Sequence, residues 1–244
     1  MKKLLLLAFF CFPAMSGFSG TCCDSFPQYT ATAPTAVPVR TDGYIDWPSP
    51  RYFWTPSGYN LHAGEGNIYM TNLSYGITDF FTAGGGLIPL VLPGIFVLPV
   101  WTSVKFSLGD PDDKLGALAT GGLIGIIPGH SKTTYGCVYG LGTLGSRERN
   151  ATVGVFYGYF GDDWGSRPAF TLSGMNTVSE RWAIISDNGF IFDKNGNTYF
   201  LSLGARMNGK KLVTDFGLVR FISPENTDVS LFPMFSLSYP FGYD

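Results

Sequence analysis

The chain has 244 residues, of which 14% are charged and 16% aromatic, with 32 glycines and a formal net charge of −2. So little charge, so evenly balanced, argues against nucleic acid as a partner and sits well below the ~25% of ordinary soluble domains. A mean hydropathy of +0.15 is far too low for a bundle of membrane helices. It suits a membrane β-barrel, whose strands are apolar on one face only.

Residues 1–19 read as an export signal. Lys2 and Lys3 form its basic start and Leu4 to Phe12 its apolar run. Ala14-Met15-Ser16 or Gly17-Phe18-Ser19 supplies a small-x-small cleavage site. Pro13 cuts the apolar run short of a bilayer span, which disfavours an anchor helix. Residues 20–50, rich in Thr, Pro, Ala and Ser, read as an extended lead-in, and residues 51–244 as one β domain. Cleavage leaves Cys22, Cys23 and Cys137, which make no disulfide framework. His62 and His130 stand apart from them, so no metal site is expected.

The domain opens with RYFWTPSGYNLHAGEG, Arg51 to Gly66, and an alternating strand, Asn67 to Thr78. A tight turn at Thr78-Asp79 leads into FFTAGGGLIP. Over Arg51–Trp54, Gly64–Gly66, Tyr75–Asp79 and Gly84–Gly86 the sequence resembles uncharacterised outer-membrane β-barrel proteins of Bacteroidota-type bacteria. The Trp101–Ser107 strand carrying Lys105 fits the same pattern. The resemblance implies an outer-membrane barrel and says nothing of cargo. The triple glycine lacks the Lys-Ser/Thr and helix of a phosphate loop, and is expected either to make room for bulky lumen neighbours or to permit a bend in the strand.

Phe80 to Val104 carries no charge. Pro89, Pro93 and Pro99 rule out a membrane helix there. Two readings stand side by side for Leu90–Pro99. Either it folds on the barrel mouth or into the leaflet edge, or the flanking strands extend with Pro93-Gly94 as their turn. The first makes Leu90, Val91, Leu92, Ile95, Phe96, Val97 and Leu98 a candidate surface for a lipid tail or apolar ligand.

Strands are then expected at Val100–Leu108, Lys114–Ile127, Thr133–Thr143, Ala151–Phe160, Pro168–Thr177 and Arg181–Phe192. A hairpin about Asn208-Gly209 and a last strand, Ser230–Phe241, follow. A two-residue type I′ turn at Asn208-Gly209 would pair Met207 with Lys210, Leu203 with Thr214 and Phe200 with Gly217. Tyr199, Leu201, Leu203 and Ala205 then share an apolar face, placing Leu201 and Leu203 near a bilayer midplane. Ser202, Arg206, Lys211 and Asp215 share the other face and, with Lys105, are the candidate lumen-lining residues. An Asn195-Gly196 turn puts Ser186 and Asn188 on the apolar face, which a bulge near Asp187 would repair.

The clear strands come out odd in number, whereas bacterial single-chain barrels are even. Tyr52–Leu61 is therefore taken as the missing one, giving an up-and-down antiparallel barrel of about twelve strands, with about ten as the next choice. Threading places the turns at Thr78–Asp79, Gly109–Asp113, Ser146–Asn150 and Asn208-Gly209 on the periplasmic side. The loops at Leu90–Pro99, Gly161–Ser166 and Ser223–Asp228 then lie outside.

The functional expectation is a non-enzymatic outer-membrane barrel, either a narrow pore or one that meets lipid or an apolar ligand. No catalytic, cofactor or metal residue stands out; the expected partners are membrane lipid and a small solute or apolar molecule. The rival is a secreted soluble β-sandwich or lipocalin-like binder, whose apolar faces would converge on a core. A barrel lipid hydrolase fits less well, because it needs His and Ser two apart on one strand face. His130 and Ser131 are adjacent, so a strand would point them to opposite faces.

Overall fold

The computed structural model describes residues 50–244 except 89, 93–94, 110–115, 129–132, 166, 193–195, 224–230 and 243–244. Among the described residues every regular element is a strand. They are β1 (Gly66–Tyr69), β2 (Asn72–Thr78), β3 (Phe81–Leu87), β4 (Leu90–Leu92), β5 (Ile95–Val97), β6 (Val100–Leu108), β7 (Gly116–Ile126) and β8 (Thr134–Gly145). There follow β9 (Arg149–Phe160), β10 (Asp163–Trp164), β11 (Ala169–Thr177), β12 (Trp182–Ile191), β13 (Thr198–Asn208), β14 (Val213–Ile222) and β15 (Leu231–Phe241).

Thirteen strands form one sheet, in which β10 is a two-residue strand lying only against β9. The other twelve close into an antiparallel, up-and-down barrel, because β15 pairs back onto β1. β4 and β5 pair only with each other. Gly66 pairs with Phe241, so both ends of the described barrel lie at one rim, called here the lower. The β2–β3, β8–β9, β11–β12 and β13–β14 turns share that rim. The upper rim carries the β1–β2 turn, the β4–β5 hairpin and the β9–β11 connection.

Period-two alternation sets which side chains point out. Leu201, Leu203, Phe216 and Leu218 are exposed on the outer surface, Leu203 by 63%, while Ser202, Arg206, Asp215 and Val219 are buried inside. The outer surface is banded. Toward the lower rim Phe81 stacks on Phe106 at 4.5 Å and Trp182 meets Phe216 edge-on at 5.7 Å. Toward the upper rim Trp164 packs against Tyr157 and Tyr159, and Phe190 against Tyr199. Aliphatic residues such as Val153, Leu172, Ile184 and Leu218 stand exposed between them.

Four expectations change in detail. The strand count stands, but its last member lies elsewhere. Tyr52–Leu61 is not a strand; it is buried inside the barrel. The apparent single strand Asn67–Thr78 is instead two, folded back at Met70-Thr71 with Tyr69 opposite Asn72. Met70 takes a positive φ of 40° to make that turn, an uncommon conformation for a residue with a Cβ.

The β13–β14 register also differs. Asn208 pairs with Val213 rather than starting a two-residue turn, so Arg206 meets Asp215 and Leu203 meets Leu218. Neither Asn208 nor Gly209 has the positive φ that a type I′ turn needs, and Gly209 N–H instead donates to Leu212 C=O at 2.8 Å. The pairing slips by an even number of residues, so each face keeps its side chains. Lys211 is the exception: it sits in the turn, exposed, and lines no lumen. Phe200 does pack on a glycine, but on Gly189 of β12, not on Gly217.

No bulge rescues Ser186 and Asn188. β12 and β13 keep one register from Trp182–Met207 to Ile191–Thr198, and both polar side chains point outward, half-buried. Asp187 and Asn188 drop out of the ladder, and side chains take over its hydrogen bonds. Ser202 Oγ accepts from Asp187 N–H at 3.0 Å and donates to its carbonyl at 2.6 Å. Asn188 Oδ1 accepts from Ser202 N–H at 3.1 Å, while its Nδ2 donates to Leu172 C=O and Ser186 Oγ. A buried backbone group needs a partner, and here Ser202 from inside the barrel and Asn188 from its outer face provide it.

Of the three glycines, only Gly86 meets a bulky lumen side chain. A Cβ on Gly86 would fall 2.6 Å from the Trp101 ring. Within Leu90–Pro99, Leu90 pairs with Val97 and Leu92 with Ile95 as β4 and β5, which join no other strand; Pro93-Gly94 lie outside the described residues. The side chains of residues 90–92 and 95–97 lie outside the described residues, as do His130 and Ser131.

Candidate functional site: a lumen closed by its own chain

Residues 50–65 run through the barrel interior. Pro and Gly within RYFWTPSGYN deny it a ladder, so it needs other partners for its backbone. It closes a small loop on itself, Ser57 N–H donating to Pro50 C=O and Arg51 bridging Pro56. Tyr52, Phe53, Tyr59 and Leu61 are all within 2% of full burial. Phe53 fits over Gly204 and Gly217, where a Cβ would strike its ring, and packs in a cluster with Tyr52, Met175, Ala183 and Ile185.

The wall clamps this plug at three places. Asp187 on β12, wholly buried, takes N–H groups from Trp54 (2.9 Å) and Thr55 (3.0 Å) on Oδ2. Its Oδ1 takes the hydroxyls of Thr55 (2.7 Å) and Ser173 (2.6 Å). A carboxylate removed from water is tolerable only with such a set of donors. Lys105 on β6 donates to the carbonyls of Ser57 and Tyr59, and Ser107 to that of Gly58. On β13 and β14, Arg206 holds Asp215, and Arg51 of the plug joins them, its guanidinium over the Tyr69 ring and 3.8 Å from the Asp215 carboxylate.

Lesser ties finish the closure. Tyr52 OH donates to Asn150 Oδ1 and lies 2.6 Å from Thr152 Oγ1; Tyr59 OH donates to Gly145 C=O. Arg147 donates to Asn60 C=O at 2.7 Å. At the lower mouth Glu65 Oε2 accepts from His62 N–H at 2.8 Å, and Asp79 Oδ1 from Ala63 N–H at 2.9 Å. Burial pushes the Glu65 carboxyl above its ordinary range, outweighing the pull of the His62 N–H. His62 sits 3.6 Å from Asp79.

Lys105, Ser202, Arg206 and Asp215 thus do face inward, buried, and are brought together around the plug. Lys211 is not among them. Arg51, Thr55, Ser173 and Asp187 were missed by sequence reasoning. An acid in the middle of a strand, as in Ile-Ile-Ser-Asp-Asn-Gly, was the available signal, since such a group demands donors from elsewhere. No family model matches the chain, and no curated protein or solved structure matches it.

Proposed function

We propose that this chain is an exported outer-membrane β-barrel, non-enzymatic, whose lumen its own N-terminal segment keeps closed. The observation that carries this reading is the outer surface, an exposed aliphatic band between two aromatic zones around an interior that buries Lys105, Asp187, Arg206 and Asp215. Water would not favour that arrangement, whereas lipid does. The flanking elements agree with it: strands β11–β15 run 9 to 11 residues, long enough to cross hydrocarbon at a tilt. The lower rim, with both barrel ends and most of the short turns, corresponds to the periplasmic side, and the upper rim to the exterior.

A narrow pore is the less favoured reading, because among the described residues the inward charges Lys105, Asp187, Arg206 and Asp215 are engaged by the plug or by a neighbouring wall group. The working surfaces left are the lipid belt and the upper mouth, which fits a barrel that handles membrane lipid or an apolar ligand. Cell fractionation tests the reading. Heat-modifiable protein recovered from outer membranes only with detergent is the expected result. A monodisperse monomer in detergent-free buffer would overturn it in favour of a soluble binder.

A further inference from the structure

The barrel wall is low at one place. β15 has eleven residues, but its neighbour β1 has four and turns back at Met70-Thr71. β1 covers only Ser238–Phe241 of β15, and the last bond on that side runs from Met70 N–H to Leu237 C=O at 3.1 Å. Among the described residues no strand pairs with Leu231–Ser236 on that flank, a length of about 20 Å. Beyond the short β1–β2 turn, β3 rises no higher than the turn itself: Gly86 pairs with Asn72, and Leu87 N–H donates to Thr71 C=O at 2.9 Å. The result is a notch in the upper half of the wall.

Three properties of this notch define what fills it. Its outer lip is apolar: Leu231 (56% exposed), Phe235 (60%) and Met70 (58%) stand in the same belt as Leu203 and Leu218. Behind it the upper lumen is aromatic. Phe221 packs against Phe232 at 5.8 Å, Trp54 caps the plug edge-on to Phe200 at 5.7 Å, and Met234 lies against the plug cluster. The inward charges Lys105, Arg206 and Asp215 lie toward the lower ends of their strands, and Asp187 is covered by Thr55 and Trp54. The third property is the edge itself. Leu237 turns its carbonyl to the notch, so by alternation Phe235, Pro233 and Leu231 do too. Pro233 has no N–H to offer, which blocks the addition of another strand.

Arg51, over the Tyr69 ring and donating to Ser238 Oγ at 3.1 Å, marks the floor of the notch, and the lining above it is aromatic. An aromatic chamber, an opening within the lipid belt and an edge closed to strands together select one occupant. We propose that the notch between β15 and the β1–β2 turn admits an acyl chain of a phospholipid from the upper leaflet into the chamber lined by Phe200, Phe221, Phe232, Met234 and Trp54. This rests on the membrane reading above. The chain buries against aromatic rings, and the glycerol esters at the rim meet the unpaired β15 edge, whose polar groups hydrocarbon alone would leave unsatisfied.

The test uses the full chain in phosphatidylcholine–phosphatidylglycerol vesicles, with p-benzoylphenylalanine placed singly at Met234, Phe221, Leu203 or Tyr139. Illumination should add the mass of one phospholipid at the inward positions Met234 and Phe221, as at outward Leu203. It should add none at Tyr139, which faces the lumen behind continuous wall. Phe232→Asp should cut the adduct at Met234 severalfold and leave that at Leu203 unchanged. Adducts at Leu203 with none at Met234 and Phe221 would overturn the site but not the membrane location. An adduct at Tyr139 equal to that at Met234 would overturn the notch as the route. No adduct at Leu203 would overturn the membrane reading and this proposal with it.

Discussion

Arg206 and Asp215 stand opposite each other on β13 and β14, and the guanidinium grips the carboxylate at two points, Nε–Oδ1 2.6 Å and Nη2–Oδ2 3.0 Å. Ser236 donates to the same carboxylate at 3.1 Å, and Arg206 Nη2 reaches the Arg51 carbonyl at 3.3 Å. The pair is almost wholly buried, so losing one partner strands a charge. Arg206→Ala should cost about 3–5 kcal/mol in reversible unfolding from vesicles. Arg206→Met with Asp215→Leu should cost less than the single change. Equal losses for the single and the double variant would mean that packing, not the stranded charge, sets the cost.

The outward aliphatic band, lipid-facing in the proposed membrane barrel, gives a graded prediction. Leu203→Arg should destabilise the barrel by roughly 2–4 kcal/mol, the depth-dependent cost of a cation on the lipid face. Lys211→Ala, in an exposed turn, should fall within about 0.5 kcal/mol of the parent. If Lys211→Ala cost as much as Leu203→Arg, the turn between β13 and β14 would be drawn wrongly.

The end of the Phe200 ring lies over Gly189, so tightly that a Cβ there would enter it. Gly189→Ala should therefore cost about 1–3 kcal/mol by overpacking. Phe200→Leu in the same chain should recover much of that loss. The check is whether the two changes are non-additive in urea unfolding, as neighbours in contact should be.

Glu65 offers a pH signature. Its folded carboxyl sits above the ordinary carboxylate range, so the folded state binds the proton more readily than the unfolded chain. Stability from this group is full below the ordinary value and falls as pH rises through the raised one. Glu65→Gln should flatten that part of the stability–pH curve, read as the difference between parent and variant. A curve that instead falls on acidification, and flattens in the variant, would reverse the sign.

The barrel was legible because period-two alternation survives small errors. The β13–β14 pairing slipped by an even number, and Leu201, Leu203, Ser202 and Asp215 kept their faces. Lys211 was lost to the same slip because it lies at the turn, where register and not alternation decides position. The twelfth strand is misplaced in the sequence reading because Met70-Thr71 carries none of the usual turn chemistry; only a positive φ at a methionine reveals it. The plug was not legible as such. RYFWTPSGYN is aromatic enough to suggest a strand, and its hydrogen bonds go to Asp187, Lys105 and Thr143, between 46 and 133 residues away. Long-range side-chain clamps of this kind leave no local pattern.

Conductance across a planar bilayer tests most directly whether the chain is, as proposed, a membrane barrel closed by its own residues 50–65. The full chain should insert and stay silent at moderate voltage, while Asp187→Ala, which removes the acceptor of the Trp54 and Thr55 N–H groups, should show discrete opening steps as the plug loosens. Steady conductance from the unaltered chain, indistinguishable from that of Asp187→Ala, would contradict it.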